Sequence, residues 1–343
     1  MGKRLMQNHL YKALQEHERI VELYKREYSE DRKTRDGKRD WRTYEQRLAL
    51  RIRTAAQELE PIAKEAFSMI ALSSNMGRPE VVPVHKKVIL LLLKDIFQLS
   101  NRKMANFLAF FTALTGIDIS YKTVERIYSD DLARMTLHNM FMIMVKEKGI
   151  KSANASGDGT GYSLTVTKHY RNEREKELKD IKKSGSGKGN KEKRRLFVRS
   201  FALMDIDTRM YIGYGTSMTS EHEAFNKALN MARLIGVSIG IVRLDKLYSY
   251  QSITKKFGKG TKIYIIPKSN ATIRGPPEWK KILEEFVYDQ FPYLKEYYKR
   301  NNSEGGFSDD KRLCGWKIWQ KREDRIDLAL MSKGVWHNLM WVG

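Results

Sequence analysis

The chain has 343 residues and a formal net charge of +23, from 64 lysines and arginines against 41 aspartates and glutamates. A soluble protein with so large a charge repels itself, so we expect a polyanionic partner, first DNA or RNA and second an anionic membrane surface. One cysteine, Cys314, excludes a disulfide framework and a zinc finger. The longest apolar run, "VILLLLKDIF", is too short to cross a bilayer, and no signal peptide is recognisable. We therefore predict a soluble cytoplasmic protein that associates with the nucleoid and not with a membrane.

Residues 1–75 are predicted to form a basic helical arm. Two segments carry apolar residues at a spacing of three to four, and the polar stretch "SEDRKTRDGKRD", residues 29–40, separates them as a linker. The arm could grip DNA, or it could serve for solubility or dimerisation. The sequence alone leaves both interpretations open.

Residues 76–148 have the rhythm of a helix-turn-helix domain. Ser100 and Ser120 are predicted to cap two successive helices, and Gly116 is predicted to end the first of them. A small three-helix bundle is the alternative. If the second helix is a recognition helix, the side chains on its exposed early turns are candidates for DNA contact: Lys122, Thr123, Glu125 and Arg126.

From residue 149 to residue 343 the pattern changes to short strands that alternate with helices. The order of these elements predicts an α/β domain with a mixed five-stranded sheet and flanking helices, in which an antiparallel meander of three strands is followed by parallel crossovers. A charged, glycine-rich insertion over residues 168–195 separates the first two predicted strands. It is predicted to be a mobile loop or helical arm that contacts nucleic acid or is simply solvated.

Three acidic residues stand at predicted ends of the sheet: Asp158 in "SGDGTG", Asp245 after a buried strand, and Glu304. The glycines on both sides of Asp158 are expected to leave the backbone bare, so that a large ligand can approach. Each has a simple structural interpretation, respectively a turn, a helix cap and an ion pair with Arg300. Together they predict a site for Mg²⁺ or Mn²⁺, since these ions prefer carboxylate oxygens and two of them can drive phosphoryl transfer. Rival ligands occupy a predicted hairpin turn, where solvation is expected instead: Asp205 and Asp207.

The stretch "YYKRNNSEGGFSDDK", residues 297–311, brings an acid together with bases and a phenol. On one helix, at about 100° per residue, four of its residues share a stripe about 60° wide: Tyr297, Arg300, Glu304 and Lys311. Such a stripe could hold a metal ion and phosphates, and Gly305 and Gly306 would let a DNA backbone approach. A frayed surface helix with one salt bridge is the alternative.

The spacing Tyr297-x2-Arg300-x3-Glu304-x6-Lys311 matches the Y-R-E-K signature of one large group of DDE transposases of prokaryotic insertion sequences, position for position. "SGDGTG" and "VRLDKLYSY" resemble the segments that carry the first and second aspartates of this family. "GFSDDKRLCGW" and the late "HNL" resemble the region after its glutamate. The resemblance covers roughly residues 150–343.

This resemblance implies an RNase H-like catalytic domain that binds two Mg²⁺ or Mn²⁺ ions. Asp158 and Asp245 would hold both ions and Glu304 would complete the site, while Tyr297, Arg300 and Lys311 would contact DNA phosphates. Water would nick the DNA at inverted-repeat ends, and the freed 3′-OH would then attack the target. The family also implies a homodimer or a larger synaptic complex.

The chain departs from well-known members of the family in the segment between "KIYIIPK" and the glutamate helix, which is short and helical where some relatives carry a β-rich insertion. In this segment Trp279 is a candidate for the aromatic residue that stacks on a flipped base. Two other functions compete with the transposase. One is a domesticated, catalytically silent DNA-binding protein, and the other is a junction-resolving nuclease of the same fold.

Overall fold

The N-terminal part of the chain consists of two long helices, α1 (Gln7–Arg35) and α2 (Trp41–Ser68). The computed structural model describes residues 4–35, 40–71, 82–164 and 197–343, so the charged insertion predicted over 168–195 lies outside the described residues. Both predicted helices are present. The linker predicted over 29–40 is shorter than expected, because α1 continues to Arg35.

Five helices follow: α3 (Val84–Ile96), α4 (Asn101–Phe110), α5 (Thr112–Thr115), α6 (Tyr121–Ile127) and α7 (Asp131–Glu147). The predicted caps are confirmed. The side chains of Ser100 and Ser120 each accept a hydrogen bond from a backbone N–H in the first turn of the helix that they precede. α5 ends at Gly116, whose φ of 65° is the left-handed conformation that favours glycine.

The sheet contains β1 (Ser152–Ser163), β2 (Phe197–Asp205), β3 (Tyr211–Ser217), β4 (Ser238–Arg243) and β5 (Lys262–Tyr264). Its spatial order is β3-β2-β1-β4-β5. The first three strands pair antiparallel, whereas β4 pairs parallel with both β1 and β5. This arrangement confirms the predicted meander followed by parallel crossovers.

The remaining helices are α8 (Glu221–Ile235), α9 (Pro277–Tyr288), α10 (Gln290–Tyr297), α11 (Asn301–Cys314) and α12 (Glu323–Leu339). α8 covers one face of the sheet at very short range. A Cβ atom on Gly213 or Gly215 would lie 2.1 Å from a backbone carbonyl oxygen of α8. Tyr214 points to the opposite face, where it meets Gly334 of α12. Helices therefore flank both faces of the sheet.

The two N-terminal helices pack against different parts of the molecule. α2 lies against α3, α7 and α12, while α1 lies along α9 and α10. Gln7 of α1 donates from Nε2 to the carbonyl oxygen of Ala271 at 3.0 Å, and Gln290 of α10 donates to the carbonyl oxygen of Ala13 at 2.9 Å. α1 is therefore held directly against the helices that lead into the 297–311 stretch.

Two buried lysines hold neighbouring segments together, one within the helical region and one at the end of α11. Lys94 of α3 donates to the phenol oxygen of Tyr128 at 2.9 Å. Lys333 of α12 donates to the carbonyl oxygen of Cys314 at 2.6 Å, at the last residue of α11. Burial lowers the pKa of the Lys94 ammonium to about 8. Among the described residues, no helix is long and apolar enough to cross a membrane.

Candidate active site

The register of β1 and β4 brings Asp158 and Asp245 side by side. Ser156 of β1 lies opposite Arg243 of β4 in the parallel pairing, and each aspartate follows its strand residue by two positions. Because side chains alternate along extended backbone, residues two apart share a face of the sheet. The two acids therefore lie level with each other, at the carboxyl end of β4, where open α/β sheets bind ligands.

One guanidinium group connects all three predicted acids. Arg300 Nη1 lies 3.1 Å from Asp158 Oδ1, and its Nη2 lies 2.5 Å from Glu304 Oε1 and 4.0 Å from Asp245 Oδ2. Arg300 Nε is buried and has no hydrogen-bond partner within the part of the chain that the structure describes. The i,i+4 pair of Arg300 and Glu304 is thus real, but it is one part of a four-residue cluster. The structural interpretation of Glu304 as a lone surface ion pair is insufficient.

The Y-R-E-K residues lie on three consecutive helical segments instead of one. Tyr297 ends α10, a 3₁₀ turn covers Tyr298–Arg300, and α11 carries Glu304 and Lys311. The backbone stays in the right-handed helical region at Arg300, with φ −55° and ψ −31°, so the stripe continues across the junction. Gly305 of α11 faces open space, because no atom of the described residues would lie within 4 Å of a Cβ atom there.

Tyr297 and Lys311 lie on either side of the acidic cluster. The ring of Tyr297 is buried, and its centroid lies 5.9 Å from Arg300 Cζ. Burial raises the pKa of this phenol to about 12, so it stays protonated. Lys311 Nζ donates to Thr160 Oγ1 at 2.7 Å, two residues beyond Asp158 on β1. Both residues therefore border the cluster, and their contacts with DNA phosphates stay a prediction.

Hydrogen bonds fix α11 against the sheet at its N-terminal end. Ser156 Oγ, beneath Asp158 on β1, donates to the carbonyl oxygen of Arg300 at 3.0 Å and lies 2.9 Å from Ser303 Oγ. On the other side, the buried Arg243 contacts Glu296 at 2.6 Å, one residue before Tyr297. Sequence reasoning did not select these residues, because serines and an arginine carry no signal until the strand register is known.

A second buried anchor holds the middle of α11. Asp310 accepts a hydrogen bond from the Tyr211 phenol at 2.8 Å and lies 2.7 Å from His337 Nδ1. The His337 ring stacks on Tyr211 with a centroid separation of 3.6 Å. The neighbouring Asn338 binds both the N–H and the carbonyl of Tyr211. The "HNL" segment noted in the sequence therefore positions the helix of Glu304 and Lys311.

The charge of the cluster is unbalanced. Three carboxylates face one guanidinium. Burial raises the pKa of the Asp158 carboxyl to about 7; the charge of Arg300 opposes this shift, and the charge of Glu304 adds to it. Hard oxygen ligands with surplus negative charge fit Mg²⁺ or Mn²⁺. Within the described ranges, no three His, Cys, Asp or Glu side chains stand close enough together to hold a metal ion as placed. Arg300 accounts for this, since its guanidinium lies between the carboxylates.

The comparison with known proteins finds a relative named probable transposase for insertion sequence element ISA1214, from Archaeoglobus fulgidus. The two chains are 42% identical over 291 residues, which is 85% of this chain and 85% of the relative. This chain is an insertion-sequence transposase. No protein-family model and no solved structure matches it.

Two of the glycines in the transposase have a different role from the one predicted. The glycines beside Asp158 were expected to leave room for a ligand, but the space above Gly159 is filled by the Glu221 side chain, at 2.5 Å from a would-be Cβ. Gly306 does not face DNA either, because its would-be Cβ lies 2.4 Å from Met204 Cε, against the sheet. Both serve internal packing.

The other acidic residues have mainly structural contacts. Asp205 was expected to be solvated, but it is buried and accepts hydrogen bonds from Asn154 N and from the Thr208 hydroxyl, which close the hairpin turn. Asp207 is exposed, as expected. Asp245 Oδ1 also caps the following 3₁₀ turn by accepting from Leu247 N at 2.8 Å. The cap interpretation of Asp245 is therefore correct, and its other oxygen faces Arg300.

Trp279 does not fit the proposed role in base flipping. Trp279 belongs to α9, and its ring is buried in the core on the inner face of that helix. Its Nε1 donates to the carbonyl oxygen of Thr272 at 3.0 Å. A tryptophan with this burial and a satisfied N–H is a packing residue. The prediction is therefore wrong, because the amphipathic face of α9 turns Trp279 inward.

On α6, the predicted DNA-contacting residues separate into two groups. Lys122 and Arg126 are exposed, and their contact with DNA stays a prediction. Thr123 is half-buried, with its hydroxyl 3.1 Å from Ser120 Oγ. Glu125 does not lie free on the surface, since it forms an ion pair with Arg325 of α12. This pair joins α6 to α12.

Proposed function

We propose that the chain is a DDE transposase with an RNase H-like catalytic domain, which cleaves DNA strands at the inverted-repeat ends of an insertion sequence and transfers the freed 3′ ends into target DNA. The observation that carries the proposal is the contact of the Arg300 guanidinium with three carboxylates that come from three separate segments of the chain. The sheet order and the transposase relative support it.

In this proposal Asp158, Asp245 and Glu304 hold two Mg²⁺ or Mn²⁺ ions. When bound, such ions activate water and stabilise the charge that develops on the leaving oxygen. The protein's own part is positional, because Ser156 and Asp310 fix the helix that carries Glu304 against the strand that carries Asp158. Tyr297, Arg300 and Lys311 bind DNA phosphates near the transposon end, and the Tyr297 ring also packs against the Arg300 guanidinium.

The partner in this proposal is double-stranded DNA, both as transposon end and as target, and the working form is a homodimer or a larger synaptic complex. The charge of +23 supports DNA as the partner, since it supplies sequence-independent attraction to phosphates. Lys122, Thr123 and Arg126 contribute to recognition of the end, Thr123 from its half-buried position at the start of α6.

The test is a cleavage assay on duplex DNA that carries the inverted repeats flanking the gene, with Mg²⁺ or Mn²⁺. We expect nicking at the repeat boundary by the wild type and none by Glu304→Ala. Asp309→Ala is the matched control, because Asp309 is an exposed acid on the same helix. Tight binding without cleavage by any of these proteins would reject the enzyme and favour a silent DNA-binding protein.

A further inference from the structure

A cleft of about 490 Å³ lies between α1 and the turn that leads into α11. Its volume falls in the range of small-molecule sites. Tyr24, Lys25 and Tyr28 line it from α1, and Tyr298, Lys299 and Asn302 line it from the other side. Tyr298 and Lys299 immediately precede Arg300 in the sequence, and the ring of Tyr298 meets that of Tyr297, which lies against Arg300.

Three tyrosine rings form a stacked column in this cleft. Tyr28 and Tyr24 are 6.0 Å apart at an angle of 23°, and Tyr24 and Tyr298 are 4.7 Å apart at 15°. Tyr298 in turn meets Tyr297 edge-on at 5.3 Å, next to Arg300. Tyr28, at the outer end of the column, is 55% exposed. The exposed ring of Tyr28 is a surface on which a further flat ring could stack.

The polar groups around the tyrosine column favour an anion. Lys25 and Lys299 are exposed on opposite walls of the cleft. Lys299 is ion-paired with Glu296, which also contacts Arg243, and Glu27 contacts Lys295. Together with Lys25, these bases outnumber the two acids and leave a positive excess beside the cleft. The cleft therefore offers stacked rings for a flat apolar ligand and ammonium groups for a phosphate, which is the pattern of single-strand nucleic-acid sites.

We infer that this cleft binds unpaired nucleotides of DNA next to the site of cleavage, with bases stacked on the tyrosine column and phosphates on Lys25 and Lys299. The inference rests on the proposed function, because it takes its DNA from that reaction. The bases of an intact duplex cannot stack on the tyrosine column, because they are already stacked on one another. The cleft therefore selects a strand that is single or locally opened.

The test is fluorescence anisotropy of a labelled single strand of about 12 nucleotides and of the corresponding duplex. The full chain is used with a chelator present, so that cleavage plays no part, at a salt concentration of about 0.2 M to suppress non-specific binding. Tyr28→Ala should weaken single-strand binding by about tenfold or more, because base stacking on one ring contributes roughly that much. Tyr28→Phe keeps the ring and should retain binding, and both proteins should bind duplex within about twofold of wild type.

Matched controls lie on the same helix. Tyr11→Ala removes a tyrosine of α1 that is 49% exposed outside the cleft, and it should leave single-strand binding unchanged. Lys25→Gln should reduce the steepness of the salt dependence by about 0.7, whereas Lys12→Gln should not. Tyr24 and Tyr298 are left intact, because their contact holds α1 in place.

Two results would overturn the inference: single-strand binding by Tyr28→Ala equal to that of the wild type, or equal losses for single strand and duplex. Failure of the proposed function would look different. A chain that binds the single strand through Tyr28 but never cleaves inverted-repeat DNA would keep the cleft and reject the transposase chemistry. A chain that cleaves inverted-repeat DNA but binds the single strand equally well with and without the Tyr28 ring would keep the transposase chemistry and reject the cleft.

Discussion

The guanidinium of Arg300 contacts the carboxylate of Asp158 across 142 residues of sequence, at a distance of 3.1 Å between Nη1 and Oδ1. This contact joins the first strand of the sheet to the helical stretch that carries the Y-R-E-K residues. It also places one positive charge among three negative ones in a partly buried site. The single positive charge of Arg300 therefore offsets part of the repulsion among the three carboxylates.

Arg300→Ala should destabilise the cation-free protein by about 1–3 kcal/mol, because partly buried carboxylates lose a charged hydrogen-bond partner. Added Mg²⁺ should then stabilise the variant more than it stabilises the wild type. Thermal unfolding with chelator and with Mg²⁺ measures both effects. Arg312→Ala is the control, since Arg312 pairs with Asp309 at the surface and such pairs contribute little. Equal Mg²⁺ effects on the wild type and Arg300→Ala would contradict this reading.

The buried anchor of α11 should be important for stability. His337→Ala removes the partner of Asp310 and the ring that stacks on Tyr211. Asp310 is then left with one hydrogen-bond partner fewer in the core, so the free energy of unfolding measured in urea should fall by about 1–3 kcal/mol. His85→Ala, at a half-exposed position on α3, should change it far less. A loss no greater than that of the control would show that the anchor is dispensable.

Lys94 gives the protein a specific pH dependence. Burial lowers the pKa of its ammonium from 10.5 to about 8. Between these values the unfolded chain still holds a proton that the folded chain has released, so this residue makes the free energy of unfolding rise with pH across that window. Relative to Lys94→Met, the wild type should gain up to about 1.4 kcal/mol per pH unit.

Urea unfolding of both proteins at several pH values from 8 to 10.5 checks this slope. Lys64→Met serves as the control, because Lys64 is exposed and its ion pair with Glu60 is at the surface. A difference between wild type and Lys94→Met that stays constant with pH would contradict the prediction.

The sequence predicted those features that depend on local pattern. Strand and helix periodicity predicted the antiparallel meander and the parallel crossovers, and serine caps marked the starts of α4 and α6. Of the three acids, only Asp245 follows the end of a strand, whereas Asp158 lies within β1 and Glu304 lies on α11. Their common contact with Arg300 was not predicted, because it depends on the pairing of β1 with β4, whose register shifts between Ala153 and Asn154.

Features that depend on distant packing were missed or misjudged. The glycine pattern around Asp158 looked like space for a ligand, yet Glu221, from a helix more than sixty residues later, fills the space above Gly159. Trp279 looked available, but the face that α9 buries is decided by its neighbours. The docking of Gln7 on Ala271, 264 residues away, leaves no local trace in the sequence.

The most direct test of the central claim is the number of Mn²⁺ ions bound per chain, measured by electron paramagnetic resonance without DNA and without cleavage. If the three acids form the proposed site, the wild type binds two Mn²⁺ ions per chain. The number of bound ions falls in Asp158→Asn, Asp245→Asn and Glu304→Gln, and it is unchanged in the surface control Asp309→Asn. Equal Mn²⁺ binding by the wild type and by the three site variants would contradict the assignment of these acids as one cation-binding active site.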